Sequence, residues 1–248
     1  MAVITAFAGI RFAKILPKNS NELKQAAAIR AVDFIESGMA VGLGTGSTAT
    51  YVVREIALRM QDGRLRDLTG VPTSERTGRL AAELGIPITT LNDCYNLDVT
   101  IDGADEVDPN LDLIKGAGGA HLREKMVAAA SKKLVVVVDE SKRVEKLGSK
   151  AAVPVEVVRF GWKSQIPFLE GLGGQPTLRI SEGGELFITD EGHYILDCRF
   201  QEIPDPALLQ LSLNNRAGVV EHGLFLGMAS VVVVGTENGI QILQRGKP

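Results

Sequence analysis

Cysteine, histidine and tryptophan are scarce in this chain, which has two, three and one of them, respectively, among its 248 residues. Cys94 and Cys198 alone can form neither a zinc motif nor the disulfide framework of a small secreted domain. Apolar runs such as 134–138 and 231–234 are far shorter than the ~18–20 residues of a membrane helix. We therefore expect a reducing, cytoplasmic setting and no membrane partner.

An excess of positive charge is also missing, because 30 Asp and Glu residues outnumber 27 Lys and Arg residues. Proteins that bind nucleic acids usually carry a basic excess or a basic stripe, so the net charge of −3 argues against such a partner. The hydrophobic share of 45% and the charged share of 23% are average for a globular protein. Residues 1–18 contain no acid and no clear cleavage pattern, and we interpret them as an N-terminal extension.

The predicted secondary structure follows one pattern before about residue 150 and a different pattern after it. Before it, short apolar strands alternate with helices, which indicates βα units on a parallel sheet. After it, the predicted order is β-α-β-β-α-β, the ferredoxin-like unit. We therefore predict a Rossmann-like α/β domain over 1–150 and 226–248, with a small α+β domain inserted at 151–225.

The spacing of apolar and turn-forming residues also predicts individual elements. Asn19 or Ser20 can cap the first helix, which Gly38 would end. The predicted helices cover 19–37, 47–60, 74–84, 120–131, 162–171 and 206–214. The predicted strands cover 39–43, 68–73, 86–90, 97–102, 134–139, 153–160, 176–180, 219–225, 231–234 and 239–243, with hairpin strands at 186–197.

The first candidate site is the sequence Gly-Leu-Gly-Thr-Gly-Ser-Thr at 42–48, between a predicted strand and a predicted helix. Glycines allow a tight turn close to a ligand, and the helix N-terminus offers free N–H groups. Thr45, Ser47 and Thr48 add hydroxyl groups. The loop lacks the Lys of a Walker motif and the acidic partner of a dinucleotide site. This composition favours phosphate binding over a turn that is merely tight.

The second candidate site is Asp-Gly-Ala-Asp-Glu at 102–106, directly after a predicted strand. Ligands of open α/β sheets bind at the carboxyl ends of strands. The spacing does not match a calcium-binding loop. Asp102 and Asp105 could converge on one small ligand, although a solvated acidic turn is the alternative.

The third candidate site is a Gly-rich loop at 115–120 that runs into another predicted helix. Lys115 supplies a cation. Glu124 lies ~200° around the helix from Leu122 and Met126, which we interpret as the packing positions. A carboxylate that only stabilises the helix dipole is the alternative. His121 has no second histidine nearby in the sequence, so we expect no metal site.

Two lysines outside these motifs could also meet an anion. Lys142 follows the predicted strand at 134–139, and Lys24 lies on the first helix. An isolated surface lysine is usually only solvated, which is the alternative for both.

A phosphate-binding loop, two or three carboxylates and one Lys suit proton transfer on a small phosphorylated molecule. A nicotinamide-dependent oxidoreductase is a rival that the missing acidic ribose contact weakens. A catalytically silent sugar-phosphate sensor is another rival, but it would normally carry a basic DNA-binding segment.

These motifs, in this order, resemble ribose 5-phosphate isomerases of the A type. The likeness runs from about Leu23 to the C-terminal strands. The departures are the N-terminal extension and Ala117, where the family often has Gly. The matching motifs are GLGTGSTA at 42–49, DGADE at 102–106, KGAGGA at 115–120, REK at 123–125, DESK at 139–142, VPVEV at 153–157 and ILD at 195–197.

The resemblance implies interconversion of D-ribose 5-phosphate and D-ribulose 5-phosphate in the pentose phosphate pathway, with no cofactor or metal, by a homodimer or homotetramer. Glu124 would move a proton between C2 and C1 through a cis-enediol(ate). Asp102 and Asp105 would handle the ring and hydroxyl protons, and Lys115 would stabilise the enediolate. The implied substrate-binding residues are Thr45, Gly46, Ser47, Thr48, Asp102, Gly103, Ala104, Asp105, Lys115, Gly116, Ala117, Gly118, Lys142 and Lys24.

Overall fold

The computed structural model describes residues 19–246, and its elements alternate as the sequence predicts before residue 150. The helices are α1 (Ser20–Ala31), α2 (Ser47–Gln61), α3 (Glu75–Glu83), α4 (His121–Ala129), α5 (Gln165–Gly171) and α6 (Pro206–Asn214). The strands are β1 (Ala40–Leu43), β2 (Thr69–Pro72), β3 (Val99–Gly103), β4 (Glu106–Val107), β5 (Leu113–Ile114), β6 (Leu134–Asp139), β7 (Val153–Val157), β8 (Gln175–Leu178), β9 (Tyr194–Arg199), β10 (Val219–His222), β11 (Leu224–Phe225), β12 (Val231–Thr236) and β13 (Gly239–Gln244). None of the helices within 19–246 has both the length and the apolar character that crossing a bilayer requires.

The largest sheet has the strand order β13-β12-β6-β3-β1-β2. All neighbouring strands in it are parallel except the edge pair β12 and β13. Every residue of β6 and β12 is buried, as expected for central parallel strands that are covered on both faces. The chain leaves β1 toward β2 on one side and returns to β3 on the other side of β1. The carboxyl ends of β1 and β3 therefore flank the crevice where such folds bind ligands.

Helices and a small sheet cover the two faces of this large sheet. One apolar core joins α1 and α2 to residues of β1, β3, β6 and β12, and a second core lies on the opposite face, where α4 contributes Ala128. Asn19 caps α1 through a capping box with Glu22. The helix ends at Ala31 and not at residue 37 as predicted, because a 3₁₀ turn follows and Ile35 is extended with its side chain in the core.

The second half of the chain contains a four-stranded antiparallel sheet in the order β10-β7-β9-β8. The connection β7-α5-β8-β9-α6-β10 is the β-α-β-β-α-β arrangement of ferredoxin-like folds. Its apolar core contains the side chains of β7 and β9 together with Leu169 of α5 and Leu209 and Leu213 of α6. The predicted α/β class with a ferredoxin-like unit is confirmed, while the domain boundaries near 150 and 225 stay a prediction.

The predicted strand at 219–225 is two strands that belong to different sheets. β10 pairs with β7, whereas β11 pairs with β5 in a three-stranded sheet with β4. Gly223 lies between them, donates its N–H to the carbonyl of Pro154 (2.8 Å) and accepts from the N–H of Lys115 (2.9 Å). A Cβ atom at Gly223 would lie 2.3 Å from the Lys115 carbonyl oxygen, so only glycine fits between the sheets.

One further predicted strand is wrong, and one predicted hairpin is only half present. The segment 86–90 makes a single bridge, between Ile88 and Gly70. Pro87 has no N–H to continue a ladder, which explains why pairing stops there. In the hairpin predicted at 186–197 the second strand is confirmed as Tyr194–Arg199, and Gly192 closes a turn with Thr189 just before it. The segment 186–190 is not a strand and contributes one bridge, between Leu186 and Ile180. The N-terminal extension at 1–18 lies outside the described residues.

A buried carboxylate connects the first half of the chain to the second. Glu106 begins β4 and is fully buried. Its oxygens accept hydrogen bonds from the N–H groups of Gly148, Lys150 and Ala151 at 2.6, 2.5 and 2.6 Å. These three residues lead into β7, so Glu106 fixes the path of the chain between the sheets.

Replacing Glu106 with Ala should lower the free energy of unfolding by about 2–4 kcal/mol, because three backbone N–H groups lose a charged acceptor. Urea denaturation followed by circular dichroism measures the change. Glu145→Ala, in the same segment but exposed, is the matched control and should stay within about 0.5 kcal/mol of wild type. A Glu106→Ala variant as stable as this control would contradict the assignment.

Candidate active site

A cavity of about 250 Å³ lies at the carboxyl ends of β1 and β3, beside the N-termini of α2 and α4. Of the residues predicted to bind substrate, Asp102 alone does not line it. The lining residues are Lys24, Thr45, Gly46, Ser47, Thr48, Gly103, Ala104, Asp105, Lys115, Gly116, Ala117, Gly118, Glu124 and Lys142. The structure therefore brings together motifs that lie far apart in the sequence.

The Gly-rich loop after β1 is shaped to pass close to other groups. Gly46 precedes α2 with a φ of +106°, and no side chain among residues 19–246 caps this helix N-terminus. A Cβ atom at Gly44 would lie 2.2 Å from Asp102 Oδ1, which itself accepts the N–H of Thr45 at 3.0 Å. The glycines thus allow the loop to contact Asp102 on one side and leave the first turn of α2 open to the cavity.

The hydroxyl of Thr45 is engaged within the protein. Its Oγ1 lies 2.7 Å from Thr73 Oγ1 and 2.8 Å from Ser74 Oγ, and Thr77 Oγ1 donates to the Gly44 carbonyl. No motif in the sequence points to Thr73, Ser74 and Thr77. Thr73 and Ser74 directly follow β2, whose carboxyl end lies beside that of β1, and Thr77 lies in the first turn of α3. Their position after that strand is the signal that could identify them.

Lys115 lies between two carboxylates and is almost completely buried with them. Its Nζ is 3.0 Å from Asp102 Oδ2 and 3.0 Å from Glu124 Oε2, and it also donates to the Gly103 carbonyl at 2.6 Å. Asp102 Oδ1 accepts the N–H groups of Thr45 and Gly103. Asp102 therefore anchors Lys115 and the loop after β1 from behind the cavity wall.

Glu124 lies on the buried face of α4, together with Val127 and Ala128. The predicted position of Glu124 off the packing face is wrong, because Met126 is 52% exposed and Leu122 is only half-buried. The N-terminal turn of that buried face meets the cavity and the next turn meets the apolar core. One helix face thus carries a catalytic candidate and packing residues in succession.

Burial controls the protonation of these three groups. It raises the pKa of Glu124 to about 8, with Lys115 acting in the opposite direction and Asp102 raising the pKa further. Burial also raises the pKa of Asp102 against the effect of Lys115. For Lys115, burial lowers the pKa, but the two carboxylates outweigh it and hold the pKa above its usual value. The ammonium therefore stays charged while Glu124 can exchange a proton near neutral pH.

Two further lysines reach the cavity around one buried carboxylate. Asp139, at the end of β6, accepts from Ser20 Oγ at 3.2 Å and from the N–H of Ser141 at 3.0 Å. Lys24 Nζ lies 3.8 Å from Asp139 Oδ2, and Lys142 follows in the same short turn. Both predicted lysines therefore line the cavity. Across 19–246, no three His, Cys, Asp or Glu side chains are placed to hold a metal ion.

Comparison with known proteins matches this arrangement to one family. A family model described as ribose 5-phosphate isomerase A (phosphoriboisomerase A) matches residues 69–239. The chain is 55% identical over 221 residues to ribose-5-phosphate isomerase A of Roseiflexus castenholzii, covering 89% of this chain and 94% of that protein. The chain belongs to the ribose 5-phosphate isomerase A family. A Synechococcus member of the family is 52% identical over 228 residues, covering 92% of this chain and 99% of that protein.

Solved structures of ribose 5-phosphate isomerases share the whole fold. The Plasmodium falciparum enzyme superposes with a TM-score of 0.88 at 41% identity and covers 92% of this chain and 100% of that chain. A D-ribose-5-phosphate isomerase in complex with phospho-erythronic acid superposes with a TM-score of 0.90 at the same identity and coverage. The family fold therefore includes both the large parallel sheet and the ferredoxin-like unit.

The raised pKa of Glu124 in this isomerase predicts a pH-dependent stability. The folded chain holds the Glu124 proton up to about pH 8, whereas the unfolded chain releases it near the ordinary value of 4.5. Because the folded state binds more protons in this window, its free energy of unfolding should fall as pH rises from about 5 to 8, by at most ~1.4 kcal/mol per pH unit.

Urea denaturation of wild type and Glu124→Gln across this pH range isolates the contribution. The stability of wild type relative to Glu124→Gln should decrease steadily with pH. Glu182→Gln, which removes an exposed carboxylate, should run parallel to wild type. A wild-type advantage that is constant or grows with pH would show that Glu124 is already ionised at pH 5.

Proposed function

We propose that this chain interconverts D-ribose 5-phosphate and D-ribulose 5-phosphate, with Glu124 as the base that moves a proton between C2 and C1 through a cis-enediol(ate). The observation that carries the proposal is the contact of Lys115 with both Asp102 and Glu124 at a cavity that the 45–48 loop also lines. A proton donor and acceptor thus lie in one cavity with groups suited to a phosphate.

Glu124 suits both halves of the proton transfer. A base with a pKa near the working pH takes up and returns a proton with little free-energy difference between the two states. Glu124 Oε2 has no well-aligned hydrogen-bond donor among residues 19–246, although Lys115 Nζ is 3.0 Å away. Lys115 remains charged beside it and would stabilise negative charge on the enediolate oxygens in a site of low dielectric constant.

The two aspartates differ in their access to a substrate. Asp105 lines the cavity and accepts the Ala117 N–H at 2.9 Å, so we assign to it the ring and hydroxyl protons. Asp102 lies behind the lining residues, with both oxygens engaged. We assign to Asp102 the holding of Lys115 and the loop after β1, in place of direct contact with substrate.

The phosphate would bind at the N-terminus of α2. Free N–H groups of the first helical turn and the hydroxyls of Ser47 and Thr48 are the donors, and Lys24 and Lys142 supply positive charge. A similar structure is a complex with phospho-erythronic acid, a molecule that has both a phosphate and a carboxyl group. This supports a site that accepts a small phosphorylated sugar acid or sugar. A place in the pentose phosphate pathway follows from the reaction, while the cytoplasmic setting and the homodimer or homotetramer stay predictions.

Glu124→Gln should lower kcat about 10²–10⁴-fold, because removal of a general base typically costs that much, and should change KM much less. Coupled assays of ribulose 5-phosphate formation give both constants. In D₂O the wild type should place deuterium at C1 of the ketose, since the Glu124 carboxyl can exchange its proton before returning it. A variant within a few-fold of wild type would move the base to Asp105, whereas deuterium at C1 would exclude hydride transfer.

The double variant Ser47→Ala/Thr48→Ala should weaken inhibition by other pentose 5-phosphates about tenfold or more, because two hydroxyl contacts to a charged group are lost. Ser212→Ala, far away on α6, is the control and should bind these inhibitors like wild type. Free ribose should be a very poor substrate of wild type, since phosphate binding energy orients the reacting carbons. A double variant that discriminates ribose from its phosphate as well as wild type would refute this phosphate site.

A further inference from the structure

The loop at 115–119 lines the cavity, but it has almost no side chains that could stabilise its conformation. After Lys115 it consists of three glycines and one alanine. Gly116 and Gly119 have φ angles of +103° and +77°, which other residues rarely adopt. One hydrogen bond lies within the loop, from the Gly119 N–H to the Gly116 carbonyl at 2.9 Å, and contacts from outside the loop supply the rest of its support.

Arg179, which follows β8, supplies such a contact from the ferredoxin-like unit. Its Nη1 donates to the carbonyls of Gly116 (3.0 Å) and Ala117 (3.2 Å). Its Nε donates to Asp197 Oδ2 at 2.8 Å, and its Nη2 pairs with Asp197 Oδ1. Asp197 thus fixes one edge of the planar guanidinium, and the other edge donates hydrogen bonds to the carbonyls of two consecutive peptides.

Because the peptide bond is planar, the hydrogen bonds from Arg179 to these carbonyls also set the directions of the N–H groups of the same peptides. The C=O and N–H groups of one trans peptide point in opposite directions. Because Arg179 holds the Gly116 carbonyl, the Ala117 N–H of the same peptide points the other way, where Asp105 Oδ2 accepts it at 2.9 Å. Because Arg179 holds the Ala117 carbonyl, the Gly118 N–H likewise points away from Arg179. This N–H has no acceptor among residues 19–246, and Gly118 lines the cavity.

The side chain of Phe187 also packs against the loop at 115–119. A Cβ atom at Gly119 would lie 2.4 Å from Phe187 Cζ, so this ring packs directly on the backbone of the loop. The guanidinium of Arg179 lies 5.6 Å from the centre of the Phe187 ring. Arg179, Phe187 and Asp197 all belong to the ferredoxin-like unit, which therefore contributes to the cavity without lining it.

We propose that Arg179 is a positioning residue for the isomerisation, which orients two peptides of the 115–119 loop so that Asp105 and the Gly118 N–H face the substrate. The inference rests on the proposed function and deepens it, because it assigns a role to a residue outside the cavity. The rival explanation is that Arg179 only ties the two parts of the chain together.

Kinetics and hydrogen exchange of Arg179→Met and Arg179→Lys separate these explanations. Both variants should lower kcat about 10–100-fold, since a misplacement of ~1 Å at a site can cost that much. Lysine should not substitute, because an ammonium cannot bridge Asp197 and two carbonyls in the planar geometry of a guanidinium. Amide exchange in the peptide 115–120 should become about tenfold faster or more.

Arg199→Met is the matched control. Arg199 ends β9, two residues beyond Asp197, and within the described part of the chain its side chain makes one long hydrogen bond, to the Lys150 carbonyl at 3.3 Å. This variant should keep wild-type kcat and wild-type exchange at 115–120. Wild-type turnover, measured first, tests the proposed function by itself. The exchange measurement needs no turnover, so failure of this inference is distinguishable from failure of the proposed function.

Chemical rescue distinguishes the loss of the guanidinium group from a general loss of stability in the variant. The guanidinium of Arg179 borders a second cavity, which Asp197 and Ala117 also line and which is open to solvent. Methylguanidinium at millimolar concentration should therefore enter Arg179→Ala and restore part of kcat. Methylammonium at the same concentration should not. The proposal is overturned if the Arg179 variants match Arg199→Met in kcat, if kcat falls without faster exchange at 115–120, or if methylguanidinium and methylammonium act alike.

Discussion

One buried ammonium between two carboxylates is the interaction on which the rest of the site depends. Lys115 follows β5, Asp102 lies near the end of β3 and Glu124 lies in the first turn of α4, so the cluster joins three separate elements. With one positive and two negative groups out of water, the cluster is most stable when one carboxyl holds a proton. The electrostatics that hold these loops together thus also place a labile proton at the cavity.

The position of this cluster follows from the topology of the large sheet. Strand order reverses between β1 and β3, so the loops after these strands separate and leave room for a ligand. Glycine at 44 allows the first loop to touch Asp102, and this contact connects the proposed phosphate site to the ionic cluster. The proposed phosphate site and the proposed base are therefore supported by the same carboxylate.

Features with a local cause could be predicted from the sequence, whereas features that arise from long-range packing could not. The strands at 134–139 and 231–234 and the Gly-rich loops have strong local patterns, and the structure has them in place. The motif identifies Glu124, but the predicted helix face is wrong, because α4 packs through His121, Val127 and Ala128. The division at Gly223 and the hydroxyls around Thr45 depend on residues from distant segments, and no local pattern encodes such contacts.

Gly223 forms backbone hydrogen bonds with Lys115 on one side and Pro154 on the other. These bonds decide whether the ferredoxin-like unit can be removed from the rest of the chain. The residue that separates the two sheets is bonded directly to the catalytic candidate, with no linker between them. Removing 151–225 to obtain a minimal enzyme would take away the partner of the Lys115 amide. The inserted unit is therefore not a detachable accessory, and circular permutants or chimaeras of this fold have to keep the strand crossing at 222–224 intact.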